Sequence, residues 1–116
     1  MSSEYPRKFI GETSWQLFDD VNVISVSRAI FRSPDELVIE FTQDNWLYTV
    51  PLKRNGDMFR AEWEAKRGGE KDNGVAECRL YTSQNDIILF GTWTESNKDH
   101  WWWFKPDEVK SFSDEQ

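Results

Sequence analysis

The sequence predicts an all-β domain: an antiparallel up-and-down meander of about eight strands forming a small closed or half-open barrel. Three observations carry that expectation. Apolar residues recur with period 2 between residues 21 and 105. Turn signals interrupt them about every ten residues. The turns also set registers in which apolar residues face apolar residues across neighbouring strands, as a sheet with one buried face requires.

At 116 residues the chain is long enough for one hydrophobic core, so residues 1–116 are read as a single domain. The N-terminal segment 1–10 has no apolar stretch of signal-peptide length, which gives the expectation of a cytoplasmic protein. Trp15-Gln16-Leu17 marks a first strand. Strand 21–32 has two possible registers. One buries Val23, Ser25, Ser27, Ala29 and Phe31; the other buries Ile24, Val26, Arg28, Ile30 and Arg32. The first is favoured because it keeps two arginines in water.

A turn at Asp44-Asn45 sets Phe41 opposite Tyr48, Ile39 opposite Val50 and Leu37 opposite Leu52. The pair Asn55-Gly56 suits a type I′ turn. It sets Leu52 opposite Phe59, Val50 opposite Ala61, Tyr48 opposite Trp63 and Trp46 opposite Ala65. In that register the nitrogen of Pro51 points toward strand 36–43, which predicts an irregularity opposite Val38. Residues 67–74, charged and Gly-rich, read as a long mobile loop. A turn around Ser83 to Asp86 pairs Leu80 with Leu89, Cys78 with Gly91 and Ala76 with Trp93. A turn at Asn97-Lys98 pairs Trp93 with Trp102 and Gly91 with Phe104. The tail, 106–116, is acidic and reads as frayed after a short helical turn at 107–110.

Composition excludes several functions. Lys and Arg number 14 against 21 Asp and Glu, a net charge of −7, so nucleic-acid binding through phosphates is not expected. No apolar run approaches the ~20 residues of a membrane helix. One Cys and one His exclude thiolate or imidazole metal clusters, and no cofactor motif is present. Glu95 and His100 face each other in the predicted last hairpin, but beside a turn they read as a solvated pair rather than a base and its orienter. Cys78 reads as a small core residue with no basic neighbour to lower its pKa. No catalytic constellation emerges, and no enzyme activity is expected.

What stands out is aromatic content: seven Trp, eight Phe and three Tyr. The predicted interior combines Trp46, Tyr48, Trp63, Trp93 and Trp102 with the small residues Cys78 and Gly91. These seven are the candidate lining of a site for a small apolar or aromatic ligand; the alternative is a filled core in which small residues make room for indoles. Eight short meander strands, with Gly91-Thr92-Trp93 on the seventh, resemble calycin-like barrels of the lipocalin, fatty-acid-binding protein and avidin type. In those families the Gly-x-Trp element sits on the first strand. The resemblance implies a barrel that binds a small hydrophobic molecule without catalysis. Fatty-acid-binding barrels hold a carboxylate with interior Arg and Tyr, which Arg28 matches only in the disfavoured register, with Tyr48 beside it.

If Trp102 and Phe104 point inward, Trp101 and Trp103 point out beside Tyr81, Ile88 and Phe90. That outer patch exceeds what isolated exposed residues explain. It is read either as covered by Phe9-Ile10 or Val109–Phe112, or as an interface for a protein partner or a homodimer, or as a stacking platform for sugar rings. The leading expectation is the calycin-like ligand carrier; the alternative is a small acidic interaction module, such as an inhibitor, immunity or scaffold factor.

Overall fold

The computed structural model describes residues 5–17, 20–84 and 86–112. Eight strands follow one another in chain order: β1 (Arg7–Leu17), β2 (Asp20–Ser33), β3 (Glu36–Gln43), β4 (Trp46–Asn55), β5 (Met58–Arg67), β6 (Glu70–Ser83), β7 (Asp86–Glu95) and β8 (Lys98–Val109). Each pairs antiparallel with the next, and β8 closes onto β1, so the barrel is fully closed. The β3–β4, β5–β6 and β7–β8 turns lie at one rim, called upper here. The β2–β3, β4–β5 and β6–β7 turns lie at the lower rim.

Two hairpins form in the predicted register. Asp44 and Asn45 both take positive φ, 52° and 68°, as a type I′ turn demands, and Leu37, Ile39 and Phe41 face Leu52, Val50 and Tyr48. In β6–β7, Leu80, Cys78 and Ala76 face Leu89, Gly91 and Trp93. Two others differ from expectation by two residues. The β4–β5 turn is Gly56-Asp57, with Asn55 paired to Met58 and Tyr48 to Ala65. Gly56 alone takes positive φ there, the Gly-first pattern of a type II′ turn. The last turn is Ser96-Asn97, so Gly91 faces Trp102 and Trp93 faces His100. A two-residue slip leaves every side chain on its own face, so hydrophobic alternation cannot tell these registers apart.

The slip relocates the defect at Pro51. The β3–β4 ladder runs unbroken through Val38 and Pro51. The β4–β5 ladder instead stops between Thr49–Glu64 and Lys53–Arg60 and resumes in the same register. Moving the turn by one residue exchanges hydrogen-bonded and non-hydrogen-bonded positions along β4, so the missing Pro51 N–H now falls on the β5 side.

Strand β2 uses both registers. Ala29 and Phe31 are buried as favoured, but nearer the start Ile24 and Val26 are buried while Val23 and Ser25 are exposed. A β-bulge between the pairs Phe9–Ala29 and Gly11–Val26 adds one residue to β2 and flips the alternation. Ile24 and Val26 in one half and Ala29 and Phe31 in the other thereby face inward, and Arg28 faces out, its guanidinium 4.4 Å from the Phe112 ring and Nε 3.8 Å from Glu40. At this bulge a Cβ on Gly11 would lie 2.1 Å from the Lys105 carbonyl oxygen, so a side chain does not fit.

The stretch 67–74 is not a loop. Gly68-Gly69 makes a tight turn and β6 begins at Glu70, with an ion pair of 3.0 Å between Arg67 and Glu70. Residues 70–73 are all exposed, so pairing continues where the apolar alternation that would reveal it has ended. Residues 106–109 likewise belong to β8 rather than to a helical turn or frayed tail, and Phe112 is buried. The remainder of the tail, 113–116, lies outside the described residues. Of the N-terminal segment, Arg7–Ile10 opens β1 and Phe9 enters the core.

The core divides along the barrel axis. Toward the upper rim Trp15, Trp93 and Trp63 form a stack with ring centroids 4.7 Å apart and planes within 15°. Phe41 and Tyr48 stack beside it at 4.9 Å. Toward the lower rim Phe9, Phe31 and Phe59 meet edge to face at 5.5 and 6.4 Å. Ala61, Ala65, Ala76 and Cys78, all buried, provide the room these rings occupy.

Candidate functional site

Among the interior candidates, Tyr48, Trp63, Cys78, Trp93 and Trp102 are buried, and all but Tyr48 are wholly so. Trp46 lies at the upper rim, partly buried, with the Arg67 guanidinium 4.7 Å over its ring. Gly91 is in the wall; a Cβ there would meet the Glu77 carbonyl oxygen at 1.9 Å, so its role is to let β6 and β7 approach. Trp15, which no turn placed from sequence, completes the interior by stacking on Trp93. The rings of Trp15, Phe41, Tyr48, Trp63, Trp93 and Trp102 contact one another at 4.7–6.4 Å and occupy the space a ligand would take.

Polar atoms inside this cluster are treated unequally. The Trp102 indole donates to Thr13 Oγ1 at 2.7 Å, and that hydroxyl donates onward to the Trp103 carbonyl at 2.7 Å. The Trp93 indole donates to Glu95 at 3.0 Å. The indole N–H groups of Trp15 and Trp63 are buried without a partner. Burial pushes the Tyr48 phenol and the Cys78 thiol each up to about 12, so both are neutral at physiological pH and Cys78 is no nucleophile. Glu95 pairs across the hairpin with Lys98 rather than His100, which removes the geometry of a carboxylate–imidazole couple. No group of three or more His, Cys, Asp or Glu is placed to hold a metal ion among the described residues.

The outer patch is present. Tyr81, Ile88 and Phe90 are 51%, 37% and 47% exposed, whereas Trp101 and Trp103 are half-buried. Tyr81 lies directly opposite Ile88, and Phe90 directly opposite Trp103, so these side chains form one connected surface across β6, β7 and β8. The two segments considered as covers lie elsewhere: Phe9 points into the barrel, and Phe112 packs against Arg28 and Lys8 beside β1 and β2. Next to Tyr81 and Ile88, the β7–β8 ladder ends at Leu89–Phe104, short of Pro106. There a mostly apolar cleft of 260 Å³ opens between Ile87, Ile88, Tyr81 and Lys105. Sequence alternation reveals the patch; the cleft depends on where one ladder stops, which alternation does not record.

Among the described residues no helix is long and apolar enough to cross a membrane. The closed eight-stranded meander agrees with the calycin-like resemblance as architecture. Comparison with family models, with curated proteins and with solved structures finds no match to this chain, so its family is not assigned by similarity.

Proposed function

We propose that the protein is a non-catalytic interaction module that docks a protein partner on the outer face of β6–β8. The observation that carries this reading is the connected surface of Tyr81, Ile88, Phe90, Trp101 and Trp103, bordered by the apolar cleft at Ile87 and Ile88. Exposed aromatic anchors beside a pocket are where interfaces concentrate binding energy. The filled indole cluster supports an exterior rather than an interior site. A net charge of −7 favours fast encounter with a basic partner.

Native mass spectrometry of the protein purified from its own host tests the reading. A retained protein or a second copy is expected, and Phe90→Ser with Tyr81→Ser should release it. Leu47→Ser, which alters an apolar side chain 46% exposed and remote from the patch, should leave it bound. A bare monomer at every concentration, or retention unaffected by Phe90→Ser with Tyr81→Ser, would sink the proposal.

A further inference from the structure

The lower rim differs chemically from the rest of this acidic chain. Two clefts, of 290 and 220 Å³, adjoin there and share Pro34, Arg54 and Leu80. Their apolar surface comes from Phe59 and Leu80 in the larger cleft and from Phe9, Phe31 and Ile87 in the smaller. Arg54 and Arg79 line the larger cleft, and Asp57 is the one carboxylate among its lining residues. Arg7, in the smaller cleft, is committed to Glu108 through two hydrogen bonds of 2.7 and 2.8 Å, so that pair is neutral.

The two arginines of the larger cleft are differently prepared. The backbone N–H of Arg54 donates to the Asp35 carbonyl at 2.8 Å, tying the β2–β3 turn to the end of β4 as one wall. Arg54 Nε donates to the Gly56 carbonyl at 2.9 Å, which fixes the guanidinium while its two terminal nitrogens bond no described residue. Arg79 makes no hydrogen bond or ion pair with a described residue. A fixed guanidinium and a second one lining the same cleft form a fork for an anion, and the half-buried Leu80 beside the nearly buried Phe59 offers apolar surface to a flat body. Clefts of this size hold a molecule of one or two aromatic rings.

We infer that the lower rim is a binding site for a small aromatic anion, its carboxylate or sulfonate held by Arg54 and Arg79 and its ring laid on Leu80 at the margin of Phe59. This site adjoins the outer patch, meeting it at Tyr81, which lines the larger cleft, and at Phe90, which lies directly opposite Arg79, and it lies at the opposite end of the barrel from the indole stack.

Fluorescence titration with 1-anilinonaphthalene-8-sulfonate tests it, with the uncharged N-phenyl-1-naphthylamine as comparison. Saturable binding of one sulfonate per chain is expected, displaced by 1-naphthoate. Arg79→Gln, and Arg54→Gln with Arg79→Gln, should each weaken binding by about tenfold or more, the loss expected of a hydrogen bond to a charged group. The uncharged dye should bind weakly and respond to neither change. Trp101→Ser, on the side of the outer patch away from Arg79, should leave sulfonate binding intact. Thermal unfolding of each variant, monitored by circular dichroism, separates loss of the site from a loosened fold that takes up dye everywhere. No saturable binding, equal binding by folded Arg79→Gln, or loss in Trp101→Ser would overturn the inference. The last outcome would assign the dye to the outer patch and leave the protein-docking reading standing.

Discussion

The two ends of this barrel are built from the same class of residue and behave differently. At the upper end indoles stack in near-parallel planes and fill the cross-section, with Trp63 and Trp93 wholly buried. At the lower end three phenylalanines meet edge to face and themselves line clefts open to water. An indole covers about twice the cross-section of a small side chain, so four of them with Ala61, Ala65 and Ala76 close one end completely. Phenylalanines under a rim of arginines leave a recess. Aromatic abundance in the sequence therefore carries two meanings, packing at one end and a surface for ligands at the other.

Truncation should expose that contrast most strongly. Trp93→Ala removes the middle ring of the stack, which touches Trp15, Trp63, Tyr48, Phe41 and Trp102. It should cost about 5 kcal/mol, the upper end for a buried aromatic, because no neighbour can collapse into the gap. Phe59→Ala at the lower rim should cost about 3 kcal/mol, since its side chain borders a cleft into which the structure can relax. Urea unfolding of the two variants measures the difference. Equal losses would mean that the two ends are packed alike.

Most of the barrel was legible from sequence because alternation and turn chemistry report the same face. Trp63, Ala65, Leu52 and Val50 face inward as alternation predicts, even though the turn lies one residue beyond Asn55-Gly56 and moves every partner by two. Face survives an even slip; partner identity does not. That is why Pro51 was expected to break the wrong ladder and Glu95 was paired with the wrong residue. The bulge at Gly11 was illegible for a different reason. Strand 21–32 satisfies one register in each half, and only the β1 partner decides where they switch. The outer patch followed directly from alternation in β8, whereas the recess at the lower rim brings Arg54, Phe59 and Arg79 together from three strands and depends on where ladders end.

The ends also share a liability to alkali. Burial raises Cys78, from 9.0 to about 12, and Tyr48, from 10.0 to about 12. Both folded values lie above the unfolded ones, so the native chain holds protons that the unfolded chain releases. The stability linked to them is complete below about pH 9 and is lost as pH rises toward 12. Denaturant unfolding at pH 7, 9 and 10.5 should show a decline beginning near pH 9. Cys78→Ala should lower stability at pH 7 through the small void it leaves, yet flatten the first part of that decline. A decline as steep in Cys78→Ala as in the parent would remove the thiol from the account.

The smallest effects should come from the two indole hydrogen bonds, one to a buried hydroxyl and the other to a carboxylate within reach of water. Thr13 is wholly buried and both accepts from Trp102 and donates to the Trp103 carbonyl. Thr13→Val keeps its shape and strips both bonds, leaving the Trp102 N–H as unpartnered as those of Trp15 and Trp63. A buried donor without a partner costs about 1–3 kcal/mol. Glu95 is only half-buried at the upper rim, so Glu95→Ala lets water replace the carboxylate at the Trp93 N–H. That change should cost about 0.5–1 kcal/mol, the net value of an exchanged hydrogen bond. If Glu95→Ala proved as costly as Thr13→Val, the upper rim would be sealed more tightly than the exposure of Glu95 implies, and the closed end of the barrel would extend to its last turn.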